Sequence, residues 1–202
     1  MAKLKMSKKS TKVDMTAMCD MAFLLLSFFI MTATAKVPEA LPVETPASTV
    51  QTKLPEENLG TLSIAKGKVF YGVTGREVRA ETLKRMGEKY GVTFTDAEQK
   101  KFSLIDGFGV DIRQMKTLIE MKNEDRMKEG KQDGIPFDSI NNQLKDWIQI
   151  SRNVTKDLDN KDLDIAIKGD AKEEYPSIHK VMDILQDQKI NTFSLVTGLR
   201  GK

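Results

Sequence analysis

The sequence predicts an α+β protein with one N-terminal transmembrane helix, an extended linker and a small mixed-sheet α/β domain carrying a helical insertion. Three observations predict it. Residues 15–35, MTAMCDMAFLLLSFFIMTATA, are almost wholly apolar. About 21 residues at roughly 1.5 Å each match the thickness of a bilayer's hydrocarbon core. Four of the six prolines, Pro38, Pro42, Pro46 and Pro55, fall in the next segment, and proline favours extended backbone. The rest of the chain alternates strand-like and helix-like apolar patterns and closes on strand–helix–strand.

Charge divides the 202 residues unevenly. Lys3, Lys5, Lys8, Lys9 and Lys12, offset by Asp14 and Asp20, carry the whole net charge of +3. Residues 21–202 are formally neutral. The basic character is therefore a tag on a short tail, residues 1–13, and not a nucleic-acid surface. Lysines beside a span favour the cytoplasmic side, so the large C-terminal part is expected on the other face. Cys19 is the only cysteine, which excludes an intrachain disulfide. It lies before the apolar core, the wrong order for a lipid-modified leader, and reads as a small packing residue.

Asp20 interrupts the apolar run. An acid in lipid costs on the order of 2.5–3.5 kcal/mol even on lenient insertion scales. At about 100° per residue, Thr16, Asp20, Ser27 and Thr34 fall within roughly 40° of one another. They form one polar seam on a cylinder otherwise covered by residues such as Phe23, Leu25, Phe29 and Ile30. Such a seam should face protein or water. A proton carrier or ion-pair partner in a helix bundle is one reading of Asp20; an edge residue reaching for the headgroups is the other.

The elements follow in order. Residues 36–58 read as a semi-rigid spacer. Thr61–Ala65 and Val69–Val73, separated by Lys66-Gly67-Lys68, predict a hairpin. A helix fits Arg79 to Tyr90, with Leu83, Met86 and Tyr90 on one face and Gly91 as its stop. Thr95 and Glu98 have capping-box spacing for a short helix from Asp96 to about Leu104. Asp106-Gly107 marks a turn. Ile112, Met115, Leu118 and Ile119 predict the buried side of a helix from Asp111 to Lys122. Residues 123–136 are nearly all polar and read as a solvated loop. Asp138 or Ser139 can cap a helix to about Asn153, with Ile140, Leu144, Trp147, Ile148 and Ser151 along one side. Trp147 reads as a core anchor.

The last forty residues give the clearest pattern. Leu163–Ile167 alternates, Pro176 suits a first helical turn, and Ile178, Val181, Met182 and Leu185 follow at helical spacing. Thr192–Thr197 is again strand-like. The unit is a parallel βαβ crossover. His179, the only histidine, has no second histidine or cysteine with which to share a metal and reads as a surface residue. There is no Gly-rich phosphate loop, nucleophile motif or zinc spacing. No enzyme activity and no cofactor are expected.

Val13-Asp14-Met15-Thr16-Ala17-Met18-Cys19-Asp20, running into MAFLLLSFFIMTA, resembles the start of the ExbD/TolR family of biopolymer-transport proteins. Leu163–Asp170, then Tyr175 to Val196 with Val-Met-Asp-Ile-Leu and Phe-Ser-Leu-Val-Thr, is similar to the family's closing strand–helix–strand. The resemblance implies a cytoplasmic tail (1–13), a transmembrane helix (14–35), a periplasmic linker (36–58) and a periplasmic domain (59–202). Residues 91–136 look like an insertion into the usual compact domain, and Ala17 stands where the family often has proline.

The resemblance also implies a role. Members sit as a dimer of spans inside a ring of a multi-span ExbB/TolQ-like partner. They use the proton-motive force to energise an outer-membrane task through a TonB- or TolA-like transducer. Asp20 occupies the position of the family's proton-binding carboxylate. Two other readings stand beside this one. A membrane-anchored scaffold or binding module would need no proton role for Asp20. A cleaved signal peptide would use Lys3 to Lys12, Met21 to Met31 and Ala33-Thr34-Ala35, although Asp14 and Asp20 place acid where such leaders rarely carry it.

Overall fold

The computed structural model describes residues 15–33, 45–48, 54–126, 128, 130–138 and 141–199. The chain divides into two units, residues 1–37 and 38–202. In the first, α1 spans Met15–Thr32, with no buried residue. Its length and mean hydropathy suit a membrane crossing.

The second unit is a mixed α/β domain. Its first strand, β1 (Ala47–Ser48), lies inside the proline-rich segment read as a spacer. Next come β2 (Leu59–Ala65) and β3 (Lys68–Val73), an antiparallel hairpin in which Ala65 pairs with Lys68. The two connecting residues, Lys66 and Gly67, both have positive φ, 54° and 68°. That is the backbone of a type I′ turn, whose twist matches the flanking strands. The Gly67 N–H donates to the Glu173 carboxylate at 3.1 Å, tying the turn to a distant loop.

Helix α2 runs Arg76–Tyr90. It starts three residues before the expected Arg79, because Gly75 at φ 99° redirects the chain and its carbonyl accepts the Arg79 N–H. Gly91 ends it in the left-handed conformation, as read. Helix α3 (Asp96–Phe102) has the full capping box: Thr95 Oγ1 accepts the Glu98 N–H, and the Glu98 carboxylate accepts the Thr95 N–H. The expected helix from Asp111 to Lys122 is shorter. A 3₁₀ turn (Ile112–Gln114), capped by Asp111, leads into α4 (Met115–Glu120). Its buried side is the predicted Ile112, Met115, Leu118 and Ile119.

Residues 123–136 depart from the solvated loop. They open with a short helix, α5 (Asn123–Arg126), and then turn inward. Ile135 is 1% exposed and donates its N–H to Val69 O. Gln132 is also buried; its side-chain carbonyl accepts the Gly109 N–H at 2.7 Å. Helix α6 (Gln143–Asp159) is capped by Asn142, not by Asp138 or Ser139. Phe137 and Asn142 form an antiparallel bridge at its start. Ser139 and Ile140 lie outside the described residues. The helix continues past Asn153 to bury Val154 and stops at Asn160, φ 52°.

Strand β4 (Asp164–Gly169), helix α7 (Tyr175–Asp187) and strand β5 (Ser194–Leu195) form the predicted crossover, with Pro176 in the first turn of α7. β5 is shorter than the run from Thr192 to Thr197. A last strand, β6 (Gly198–Leu199), pairs parallel with β1. The main sheet has the order β3-β2-β4-β5, antiparallel at β2–β3 and parallel elsewhere. α2 packs along α6. Their Leu83, Met86, Leu144 and Ile148 share one core with Leu62, Ile64, Ile165 and Ile167 of the sheet. Val181 and Leu185 of α7 join them.

Candidate functional site

The polar seam lies on α1. Three of its four residues, Thr16, Asp20 and Ser27, fall within the helix, so their spacings of 4 and 7 place them on one face. Thr34 lies outside the described residues. Asp20 is exposed on the helix surface, as are Thr16 and Cys19, and Ser27 is half-buried. The Ser27 hydroxyl donates to Leu24 O at 2.9 Å. Thr32, which the seam arithmetic leaves out, donates to Phe28 O at 2.7 Å. Both hydroxyl protons are thus satisfied by the helix's own backbone, the economical state in an apolar medium. Their oxygens keep lone pairs for another donor. Asp20 has no such recourse, because an ionised carboxylate only accepts. Around it Met18, Met21, Phe23, Leu24, Leu25 and Leu26 are all exposed.

The domain offers a different kind of surface: its sheet edges. At the β3 edge, Tyr71 exchanges backbone hydrogen bonds with Phe108 at 2.8 and 2.9 Å, and Ile135 bonds Val69. Residues 91–136 therefore cover that edge. Tyr71 is held deeper still, its hydroxyl hydrogen-bonded to Ser151, and burial raises its pKa above the usual phenol value. At the other edge β5 is short and exposed, with Leu195 57% accessible. Sequence reading missed the covered edge because its contacts join residues about 37 to 66 apart with no shared period.

Among the described residues no group of three His, Cys, Asp or Glu gathers where a metal could sit. His179 is half-exposed on α7, 2.9 Å from Asp183 and edge-on to Tyr175.

One apolar helix long enough to cross a membrane, with a separate α+β domain, defines the class: a single-span anchored protein. The chain matches the family described as "ExbD: Biopolymer transport protein ExbD/TolR" over residues 6–199 and belongs to it. Neither a curated protein nor a solved structure matches. The family comprises non-enzymatic proteins that energise biopolymer transport in association with ExbB/TolQ-type proteins. Membership and the single apolar helix together indicate a single-pass inner-membrane protein.

Proposed function

We propose that this chain is the proton-carrying subunit of an inner-membrane complex that couples the proton-motive force to transport or mechanical work at the outer membrane. The observation that carries the reading is Asp20, a carboxylate on the polar seam of a helix whose apolar side chains are exposed all round. The lysines of the tail hold the N-terminus in the cytoplasm, and residues 59–202 stand in the periplasm. Two copies of α1 sit within a ring of an ExbB/TolQ-like partner. A protonated Asp20 passes an apolar wall; an ionised one turns to a hydrated or hydroxyl-lined pocket, built by that ring or by Thr16 and Ser27. Each charge that crosses about 100 mV releases roughly 2.3 kcal/mol, so a few protons drive one stroke. The stroke passes through the linker to a TonB- or TolA-like transducer.

The test replaces Asp20 by Asn, which keeps the size and removes titration. In cells lacking the native copy, proton-dependent outer-membrane uptake should fall to the level of the deletion, with normal membrane abundance. Full uptake by Asp20→Asn would end the carrier reading. A second arm exchanges residues 15–33 for an unrelated apolar helix. Retained function there favours the anchored binding module.

A further inference from the structure

Three polar atoms of the core without a protein partner belong to residues around one cavity. Among the described residues, Arg79 Nε, Thr82 Oγ1 and Trp147 Nε1 are buried without a hydrogen-bond partner. All three residues line one small cavity, together with Tyr71, Phe102 and Phe108. Leaving a buried polar group unpaired is costly, and such groups are normally answered by protein or by ordered water. About 10 Å³ of this cavity is open to the centre of a water molecule, near the roughly 10–15 Å³ that a single water needs.

We infer that this cavity is a binding site for one internal water molecule, held by Trp147, Arg79 and Thr82. The donor and acceptor inventory fits. The Trp147 indole and the Arg79 Nε–H can only donate. A water accepts from both and donates to Thr82 Oγ1. Size and charge both argue against an anion. A halide is larger than water, and the Arg79 guanidinium is already paired with Asp106 at 2.8 Å. The same Nη1 that makes this pair also donates to the carbonyls of Ser103 and Ile105 at 3.0 and 2.9 Å. The site joins four pieces of chain: β3, α2, the segment 102–108 and α6. The water thus links Arg79 and Thr82 of α2 to Trp147 of α6 beside a cluster of aromatic rings. Phe108 stands 4.7 Å from Trp147 and 5.2 Å from Phe102.

Trp147 is the only tryptophan, so its indole proton gives one resonance in the full-length chain in detergent micelles. A water-selective NOE experiment should show a cross-peak between that proton and a long-lived water. Thr82→Val, which keeps the shape and removes the hydroxyl, should lose the cross-peak. Thr82→Ser, which restores the hydroxyl, should keep it and so controls for folding. Absence of the cross-peak in the native chain overturns the site. Its persistence unchanged in Thr82→Val overturns the assigned geometry. An indole shift that follows replacement of chloride by bromide overturns water in favour of an anion.

Discussion

Helices α1 and α6 have nearly equal length, 18 and 17 residues, and opposite habits. α6 turns one stripe, Leu144, Trp147, Ile148, Ser151 and Val154, into the core and leaves the rest to water. α1 buries nothing and is apolar on nearly every side. Their hydroxyls make the same contrast. Ser151 donates to Ile148 O, as Ser27 does to Leu24 O, but Ser151 is then completed by Tyr71 of the same chain. α6 thus packs its apolar stripe within its own domain. α1 carries information addressed to another molecule, whether lipid or subunit.

Matched truncations test this most sharply. Leu144 is 0% exposed and Leu26 57%. Leu144→Ala should lower the domain's unfolding free energy by about 2–5 kcal/mol through lost burial and the cavity left behind. Leu26→Ala should change it by less than about 0.5 kcal/mol. Urea unfolding of the full chain, followed by Trp147 fluorescence, reads the domain alone because the only tryptophan lies there. Equal losses would mean that α1 is part of the domain's core and that the contrast is false.

Gly72→Ala comes next. A Cβ at Gly72 would stand 2.2 Å from the Asp106 carbonyl oxygen. That oxygen belongs to backbone, so the segment clamped by Arg79 would have to shift. A cost of about 1–3 kcal/mol is expected in the same unfolding experiment. Thr95→Ala should cost about 1 kcal/mol by removing the cap of α3. Ser27→Ala, which deletes a hydroxyl bound back to its own helix, should leave the domain unchanged. A stability loss for Ser27→Ala as large as for Thr95→Ala would show that hydroxyls in the two units do the same work.

The parts of this molecule that could be read from sequence are those whose signal is local. The hairpin is announced by Lys66-Gly67 between two runs of β-formers, since two-residue connections use primed turns and glycine accepts their positive φ. The βαβ unit is announced by Pro176 and the stripe from Ile178 to Leu185. What escaped depends on contacts far apart in the chain. Asp138 and Asn142 are both good caps, and the Phe137–Asn142 bridge chooses between them. Ile135 is one apolar residue in a polar run, with no periodicity to mark it. It is buried because Val69 and the covered sheet edge receive it. Asp20 stands out by its cost in lipid, and its role rests on the proposal above.

The smallest expected effect concerns a carboxylate in the domain that finds its partners locally. Glu98 accepts the Thr95 N–H at 2.7 Å and the Thr95 hydroxyl at 2.9 Å. The backbone hydrogen bond first, then the hydroxyl, favour the charged form and lower its pKa, with Lys116 and Lys101 adding a little. A carboxyl whose folded pKa lies below its unfolded value contributes stability that is present above the unfolded value. That contribution is lost as the pH falls through the folded one. Glu98 lies partly exposed at the surface, so the effect is small, and the Thr95 amide resonance is a better reporter than global stability. Its acid titration should have a midpoint below the ordinary glutamate range, and the midpoint should be the same in Asp20→Asn. In Thr95→Ala the hydroxyl is gone, and the Glu98 side-chain resonance should titrate closer to the ordinary range. A native midpoint at the ordinary value would mean that the capping box opens in solution. Glu98 would then have lost the local partners that the cap gives it.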